Sequence, residues 1–399
     1  MNKINLSKIE KIFIIGAGYV GLANGIALAK NYKVVFCDID SSKLNAISKG
    51  FSPLKERDLE LQISKYKDNI SAISQINSIE KNDLVIICLP TDLDLGTMTL
   101  STKLIEETIA NILRLNNDVN IVIRSTVPIG FTKKMITNFS SQNIHFAPEF
   151  LREGQSYKDV VYPSRLIIGS SHSDNQNIIE VLSSVIDPKH KFENFLMSPS
   201  EAETVKLFSN SYLAMRVSFF NELDTFAHAN SMDARNIISG ICSDERIGNF
   251  YNNPSFGFGG YCLPKDSQQL QNYFQGLPAS IIPNIASSNS MRIQYIHDQI
   301  IKLKKKKIGF FRLNNKEGSD NLRDSISYLL LNMLKDKVEK IYIFEPLHDG
   351  LVSLPMNAKL VDSVSDLAKK SQLIIANRNG EELYPYKNIL FTRDIFNIN

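Results

Sequence analysis

Ile12-Phe13-Ile14-Ile15-Gly16-Ala17-Gly18-Tyr19-Val20-Gly21 carries the fold assignment. Four apolar, mostly β-branched residues read as a strand buried on both faces, and they run straight into a Gly-x-Gly-x-x-Gly turn followed by a helical pattern. Glycines at that spacing permit a tight turn and bring the N–H groups of a helix N-terminus up to a pyrophosphate. A second apolar run, Val34-Val35-Phe36-Cys37, ends in Asp38, 22 residues beyond Gly16. A carboxylate there accepts hydrogen bonds from a ribose diol and repels a 2′-phosphate. The segment therefore predicts an NAD site built from Gly16, Gly18, Tyr19, Val20, Gly21 and Asp38. Lys43 tempers the preference over NADP, because a nearby cation could accommodate the extra phosphate.

Outward from this turn the same alternation continues. Leu84-Val85-Ile86-Ile87-Cys88, Ile121-Val122-Ile123 and Leu166-Ile167-Ile168 are nearly continuous apolar runs, which predict an α/β domain with a doubly wound parallel sheet. Around residue 200 the period changes. Ser200 and Glu203 suggest a capping box, and Val205, Leu207, Phe208, Leu213, Val217, Phe220 and Leu223 extend an amphipathic helix to about Ala229, roughly 43 Å of rod. After four consecutive lysines, 304–307, which read as a solvated helix end, a second strand-helix alternation begins at Ile308 and lacks the glycine signature.

Composition narrows the partners. The 399 residues are 43% hydrophobic and 22% charged, with a net charge of +3, which excludes a disordered chain and gives no reason to expect nucleic acid or a membrane surface. Cys37, Cys88, Cys242 and Cys262 have neither disulfide-framework nor zinc-ligand spacing, so no metal is expected and a reducing cytoplasm fits. Lys3, Lys8 and Lys11 ahead of an apolar stretch loosely copy a secretion signal, but Gly16, Gly18, Gly21 and Gly25 would weaken such a helix.

The reactive chemistry points to 257–266, Gly-Phe-Gly-Gly-Tyr-Cys-Leu-Pro-Lys-Asp. Three glycines in four residues predict a loop, and Cys262 beside Lys265 sits where there is no core to fill, unlike Cys37, Cys88 and Cys242. A thiolate near NAD suits aldehyde oxidation: sulfur addition gives a thiohemiacetal, hydride loss a thioester, and water a carboxylate. Lys206 and Asn210, one turn apart, could clamp the oxyanion, although the spacing alone equally describes a solvated helix face. Arg124-Ser125-Thr126-Val127-Pro128 follows a buried strand at its carboxyl end. Glu149 and Glu153 would share a face if their turn is helical, either to position water or as ordinary first-turn acids.

Together, 16–21, 124–130 (RSTVPIG), 148–154 (PEFLREG), Lys206 with Asn210, 246–255 (RIGNFYNNPS) and 257–266 resemble the UDP-glucose/GDP-mannose dehydrogenase family, nearest to its short bacterial UDP-glucose 6-dehydrogenases. The resemblance implies two Rossmann-like parallel-sheet domains joined by a long central helix, a homodimer, and two NAD-dependent oxidations of UDP-glucose to UDP-glucuronate. The implied parts are an NAD domain, 1–198, a helical dimerisation segment with the thiol, 199–300, and a UDP-sugar domain, 301–399. By position it implies Cys262 as nucleophile, Lys206 and Asn210 as oxyanion donors, Asp266 as the carboxylate near the thiol, and Thr126 with Glu149 as the pair that positions water. Glu153 is implied to touch cofactor and sugar, and Thr91, Thr126, Lys265 and Arg323 to contact NAD. The implied sugar-nucleotide contacts are Glu149, Phe150, Leu151, Arg152, Glu153, Lys206, Asn210, Tyr251, Asn252, Asn253, Pro254, Ser255 and Gly259, with Arg246 reaching a neighbouring subunit's site. Asp92, Ala147 and Tyr162 depart from the family pattern and bear on fine specificity. A UDP-N-acetylhexosamine or GDP-mannose enzyme of the same chemistry, or a non-catalytic NAD-binding scaffold, are the competing readings; Tyr261 and 263–266 favour UDP-glucose.

Overall fold

The computed structural model describes residues 9–94, 96–171, 176–313, 325–346 and 354–397. The chain divides into two compact units, Met1–Leu207 and Phe208–Asn399. The first unit opens with β1 (Lys11–Ile15), α1 (Tyr19–Leu28), β2 (Lys33–Cys37), α2 (Ser41–Ser48), α3 (Arg57–Lys65), β3 (Ile70–Ile73) and β4 (Leu84–Ile87). A small ribbon, β5 (Leu93–Asp94) and β6 (Thr99–Leu100), precedes α4 (Lys103–Leu115), β7 (Asn120–Ile123), α5 (Phe131–Phe139) and β8 (Ile144–Phe146). The unit continues through α6 (Ser156–Val161), β9 (Arg165–Gly169), α7 (Gln176–Ser183) and β10 (Glu193–Met197).

Eight of these strands form one sheet in the order β10-β9-β8-β7-β4-β1-β2-β3, parallel throughout except where β8 meets β9 at Phe146 and Gly169. Both faces are buried. Ile12, Ile14, Val34, Phe36, Leu84 and Ile86 pack into one core, while Phe13, Ile15, Val85, Ile87, Ile121 and Ile123 pack into the other. Successive side chains of each strand point to opposite faces, so a strand covered by helices on both sides must be apolar at every position. The strand order reverses between β1 and β4, which places a crevice at their carboxyl ends.

Helix α8 (Pro199–Ala229) spans the division between the units. Its start corrects the expected capping box. Ser198, not Ser200, caps it: the Ser198 N–H and hydroxyl donate to Glu201 at 2.8 and 2.6 Å, and the Glu201 N–H returns at 3.4 Å. Pro199 decides between the overlapping pairs, since proline favours the first helical position. Glu203, left free of the cap, is buried and accepts from the N–H groups of Gly130 and Thr132 at the start of α5. Burial pushes its carboxyl upward, against the lowering effect of those hydrogen bonds.

The second unit holds α9 (Ala234–Cys242), α10 (Cys262–Asn272), α11 (Ile281–Lys302), β11 (Lys307–Phe311), α12 (Ile326–Leu334), β12 (Lys340–Phe344), β13 (Ala358–Leu360), α13 (Val364–Lys370), β14 (Leu373–Ile375) and β15 (Leu390–Phe391). Its five-stranded sheet is parallel in the order β13-β12-β11-β14-β15, and it reverses between β11 and β14. Ile308, Phe310, Ile341 and Ile343 face α11 and α12, while Phe311 and Ile374 face α13. Lysines 304–306 are exposed between α11 and β11, and Lys307, also exposed, opens β11. Among the described residues, no helix is long and apolar enough to cross a membrane and no acidic, histidine or cysteine cluster could hold a metal.

Candidate active site

In the first unit the glycine turn joins β1 to α1 through residues 16–18. The Gly16 N–H donates to the Cys37 carbonyl at 2.9 Å. A Cβ on Gly16, whose φ is +98°, would lie 2.6 Å from the Cys88 carbonyl oxygen, and one on Gly21 would lie 1.9 Å from the Gly16 oxygen. Those two glycines close the turn against the protein itself. Gly18 is different: a Cβ there meets nothing within 4 Å, and no side chain caps the helix that starts at Tyr19. The room at Gly18 and the N-terminus of α1 fit a pyrophosphate. Asp38 is fixed beside them, accepting from Ala17 N–H at 2.7 Å and from Asp40 N–H at 2.9 Å, while Tyr19 and Val20 are half-buried in the first helical turn. Lys43 lies in the first turn of α2, its N–H on the Asp40 cap at 3.3 Å. Thr91, buried after β4, donates to the Thr126 carbonyl at 2.7 Å and ties the two loops at the crevice.

Glu149 is the centre of a second cluster in this unit. Its Oε2 accepts from Arg124 Nε at 3.0 Å, from Arg124 Nη2, and from Asn24 Nδ2 at 2.9 Å, while the Lys206 ammonium donates to its backbone oxygen and lies 5.1 Å from the Phe150 ring centre. The expected helical face shared by Glu149 and Glu153 is not formed. The chain is irregular from 147 to 152 and turns at Glu153, with α6 starting only at Ser156, because Glu149 is pulled onto Arg124 and the Arg152 guanidinium and N–H onto Asp159. Arg152 thereby faces Asp159 at 2.7 Å, and Phe150, Leu151 and Glu153 are half-buried around it.

In the second unit Cys262 is exposed, and the other three thiols are buried or half-buried. Burial pushes the Cys88 thiol up to about 12, and burial with the neighbouring Asp38 raises that of Cys37. The expected glycine loop ends sooner than its composition suggested. Residues 257–261 are irregular, but Cys262 is the first residue of α10, with Pro264 in its opening turn. Proline is tolerated there because first-turn N–H groups have no partner within the helix, and the same groups favour a thiolate. One turn on, Asp266 is fully buried and accepts from Asn210 Nδ2 at 2.6 Å and from the Lys265 ammonium at 3.0 Å; Lys265 also lies 4.8 Å from the Tyr261 ring centre. The amide, ammonium and carboxylate are therefore one group, one helical turn beyond the thiol.

The 251–259 segment is held through its backbone by residues just beyond β14 and by side chains of α8 and α11. Arg292 donates to the Ser255 oxygen at 3.0 Å, Asn221 accepts from Ser255 N–H at 2.8 Å, Asn377 accepts from Phe256 N–H at 2.9 Å, and Arg378 donates to the Pro254 oxygen at 3.0 Å. Asn289 pairs with both polar groups of the Phe258 backbone at 2.8 Å. Asn252 and Asn253 turn inward to Cys242 and Asp394, Tyr251 is exposed at a φ of +51°, and Gly259 is half-buried. Arg292 itself is buried against Asp224, which also receives Arg393. Arg246 is 88% exposed and pairs with Asp244 at 2.6 Å. Arg323 lies outside the described residues. Sequence reasoning missed Asn24, Asn221 and Arg292; for Asn24 the signal was an amide alone among the apolar and glycine residues buried on α1.

Comparison with known proteins follows the same division. Residues 10–187 match the NAD binding domain of the UDP-glucose/GDP-mannose dehydrogenase family, and residues 200–291 match that family's central domain. A UDP-glucose 6-dehydrogenase of Campylobacter jejuni is 41% identical over 97% of this chain and 99% of its own length. One of Streptococcus pneumoniae is 34% identical over the same shares. Among solved structures, a UDP-glucose dehydrogenase from Pyrobaculum islandicum superposes with a TM-score of 0.84 over 99% of this chain and 96% of its own, at 21% identity, which speaks to the fold.

Proposed function

The chain belongs to the UDP-glucose/GDP-mannose dehydrogenase family, and from that premise we propose that it oxidises C6 of UDP-glucose twice, with NAD, to give UDP-glucuronate. The observation that carries the reading is the exposed Cys262 at the N-terminus of α10, with Asn210, Lys265 and Asp266 joined to one another one turn further on. NAD, when bound, accepts one hydride in each oxidation. Gly16, Gly18, Tyr19, Val20, Gly21 and the N-terminus of α1 hold its pyrophosphate, and Asp38 takes its ribose diol, with Lys43, Thr91, Lys265, Glu153 and the undescribed Arg323 as further contacts.

The protein's own groups then do the following. After the alcohol has become an aldehyde, the Cys262 sulfur bonds to C6, and the negative charge arising on its oxygen is met by the Lys206 ammonium and the Asn210 amide. Asp266, by accepting from Asn210, fixes which way that amide presents its second hydrogen. The second oxidation leaves a thioester. Water held by Thr126 and Glu149 adds to the acyl carbon, the C–S bond breaks, and the sulfur leaves as thiolate. Residues 251–259 of the second unit and Phe150, Leu151 and Arg152 of the first are taken as contacts of the sugar nucleotide, and the exposed Arg246 as a contact to a second subunit's site.

A homodimer suits the surface of α8, where Phe208, Tyr212, Phe219 and Phe226 are 41 to 61% exposed at spacings close to the heptad. Four cysteines, none of them in a disulfide, suit a reducing cytoplasm. The functional parts are taken as 1–198 for NAD, 199–300 for the thiol and dimer contact, and 301–399 for the UDP-sugar. NADH formation with UDP-glucose, UDP-N-acetylglucosamine, UDP-N-acetylmannosamine and GDP-mannose tests the reading. Two NADH per UDP-glucose are expected, and no NADH from UDP-glucose refutes it.

A further inference from the structure

Helix α1 buries Gly21, Leu22, Ala23, Gly25, Ile26, Ala27 and Leu28, and among them a single amide, Asn24, which is 4% exposed. An asparagine at a buried, interior helical position is disfavoured by propensity and by desolvation unless its polar atoms are engaged. Both hydrogens of Nδ2 are engaged. One goes to the Val20 carbonyl at 2.8 Å within the helix, and the other crosses to Glu149 Oε2 at 2.9 Å.

The two oxygens of Glu149 are treated unequally. Oε2 takes three donors, Asn24 Nδ2 and the Nε and Nη2 of Arg124, whereas Oε1 accepts only its own neighbour's N–H, from Phe150 at 3.2 Å. Asn24, Arg124 and Glu149 also line a cavity of about 290 Å³. That is room for several waters. Oε2 is thus saturated and immobile, and Oε1 retains the lone pairs with which to hold a water or take its proton.

We infer that Asn24 is a positioning residue for the hydrolytic half of the reaction: with Arg124 it locks Glu149 so that Oε1 alone faces the attacking water. The inference rests on the function proposed above. In the step concerned, the water oxygen bonds to the acyl carbon, the C–S bond breaks with its electron pair going to sulfur, and the water proton passes to Oε1; no oxidant takes part. An unlocked carboxylate slows this step without touching either oxidation.

The test uses full-length wild type, Asn24→Leu and Asn24→Asp, mixed rapidly with NAD and UDP-glucose, with quenched samples weighed intact. For Asn24→Leu we expect a burst of two NADH per site followed by turnover about 10- to 100-fold below wild type. The acyl-enzyme mass should dominate the quenched sample, and KM for both substrates should be little changed. In Asn24→Asp the introduced acid can donate to Oε2 only when protonated, so its kcat should recover as pH falls, in contrast to wild type. Wild-type kcat in Asn24→Leu, or a slowed variant showing neither burst nor acyl-enzyme, overturns the inference. Should Asn24→Leu fail to fold, a pH profile of Asn24→Asp parallel to wild type overturns it equally. Absence of NADH from wild type overturns the proposed function itself, an outcome separate from an indifferent Asn24→Leu.

Discussion

Three residues, 16–18, carry the chain from β1 into α1, whereas residues 312–325 separate β11 from α12. Both connections leave a strand that stands at the point where strand order reverses. The short one forces the helix N-terminus up against the strand end and needs glycine to do so, since Gly16 sits at φ +98° with the Cys88 carbonyl where its Cβ would be. In the second unit the same connection takes fourteen residues, 312–325. There the 251–259 segment is held by Arg292, Asn377 and Arg378. Two sheets of like topology thus differ at their carboxyl ends: in the first a short turn presents the N–H groups of a helix start, and in the second the backbone of 251–259 is tied to Asn377 and Arg378 just beyond β14.

The difference can be broken from either side. Cys262→Ala removes the reactive group of the second unit and leaves the first intact; turnover should drop roughly 10⁴-fold or more while calorimetric NAD and UDP-glucose binding persist. Near-normal turnover would end the covalent mechanism. Arg292→Met strikes the clamp on 251–259 and leaves Asp224 with Arg393 alone; a loss of about 3 kcal/mol is expected in denaturant unfolding. Burial lowers the Arg292 pKa while Asp224 holds it charged, so the pair is interdependent. The Cβ of Gly18→Val has no heavy atom within 4 Å, so folding should survive, yet the added bulk would obstruct a pyrophosphate at the start of α1. KM for NAD should rise about 100-fold, with UDP-glucose affinity unchanged. Asp38→Ser should reduce the preference for NAD over NADP by about tenfold, measured as the ratio of kcat/KM values.

Continuous apolar strands made the centre of each sheet readable in advance, because a strand covered on both faces has no polar position to confuse the pattern. Two further members of the first sheet, β8 and β10, were not. β8 carries the buried His145, satisfied by Ser170 at 2.9 Å and Asn120 at 3.2 Å, and β10 is exposed at four of its five positions. Neither shows the apolar run that marks the centre. Within the site, the glycine-rich segment pointed to the thiol beside Lys265, and Asp266 came with the family resemblance. The Asn24 to Glu149 contact joins positions 125 apart and needed the fold. The mistaken capping pair shows a related limit: Ser198-Pro199-Ser200-Glu201-Ala202-Glu203 contains two overlapping boxes, and only the proline's place at the helix start selects one.

One consequence of the exposed helix-start cysteine is practical. Cys242 is buried, and Cys37 and Cys88 are half-buried with thiols held in the neutral form, so a mild alkylating reagent such as iodoacetamide meets a single competent sulfur. The incorporated label then counts intact sites in any preparation, and its protection by nucleotide sugar gives an affinity without need of turnover.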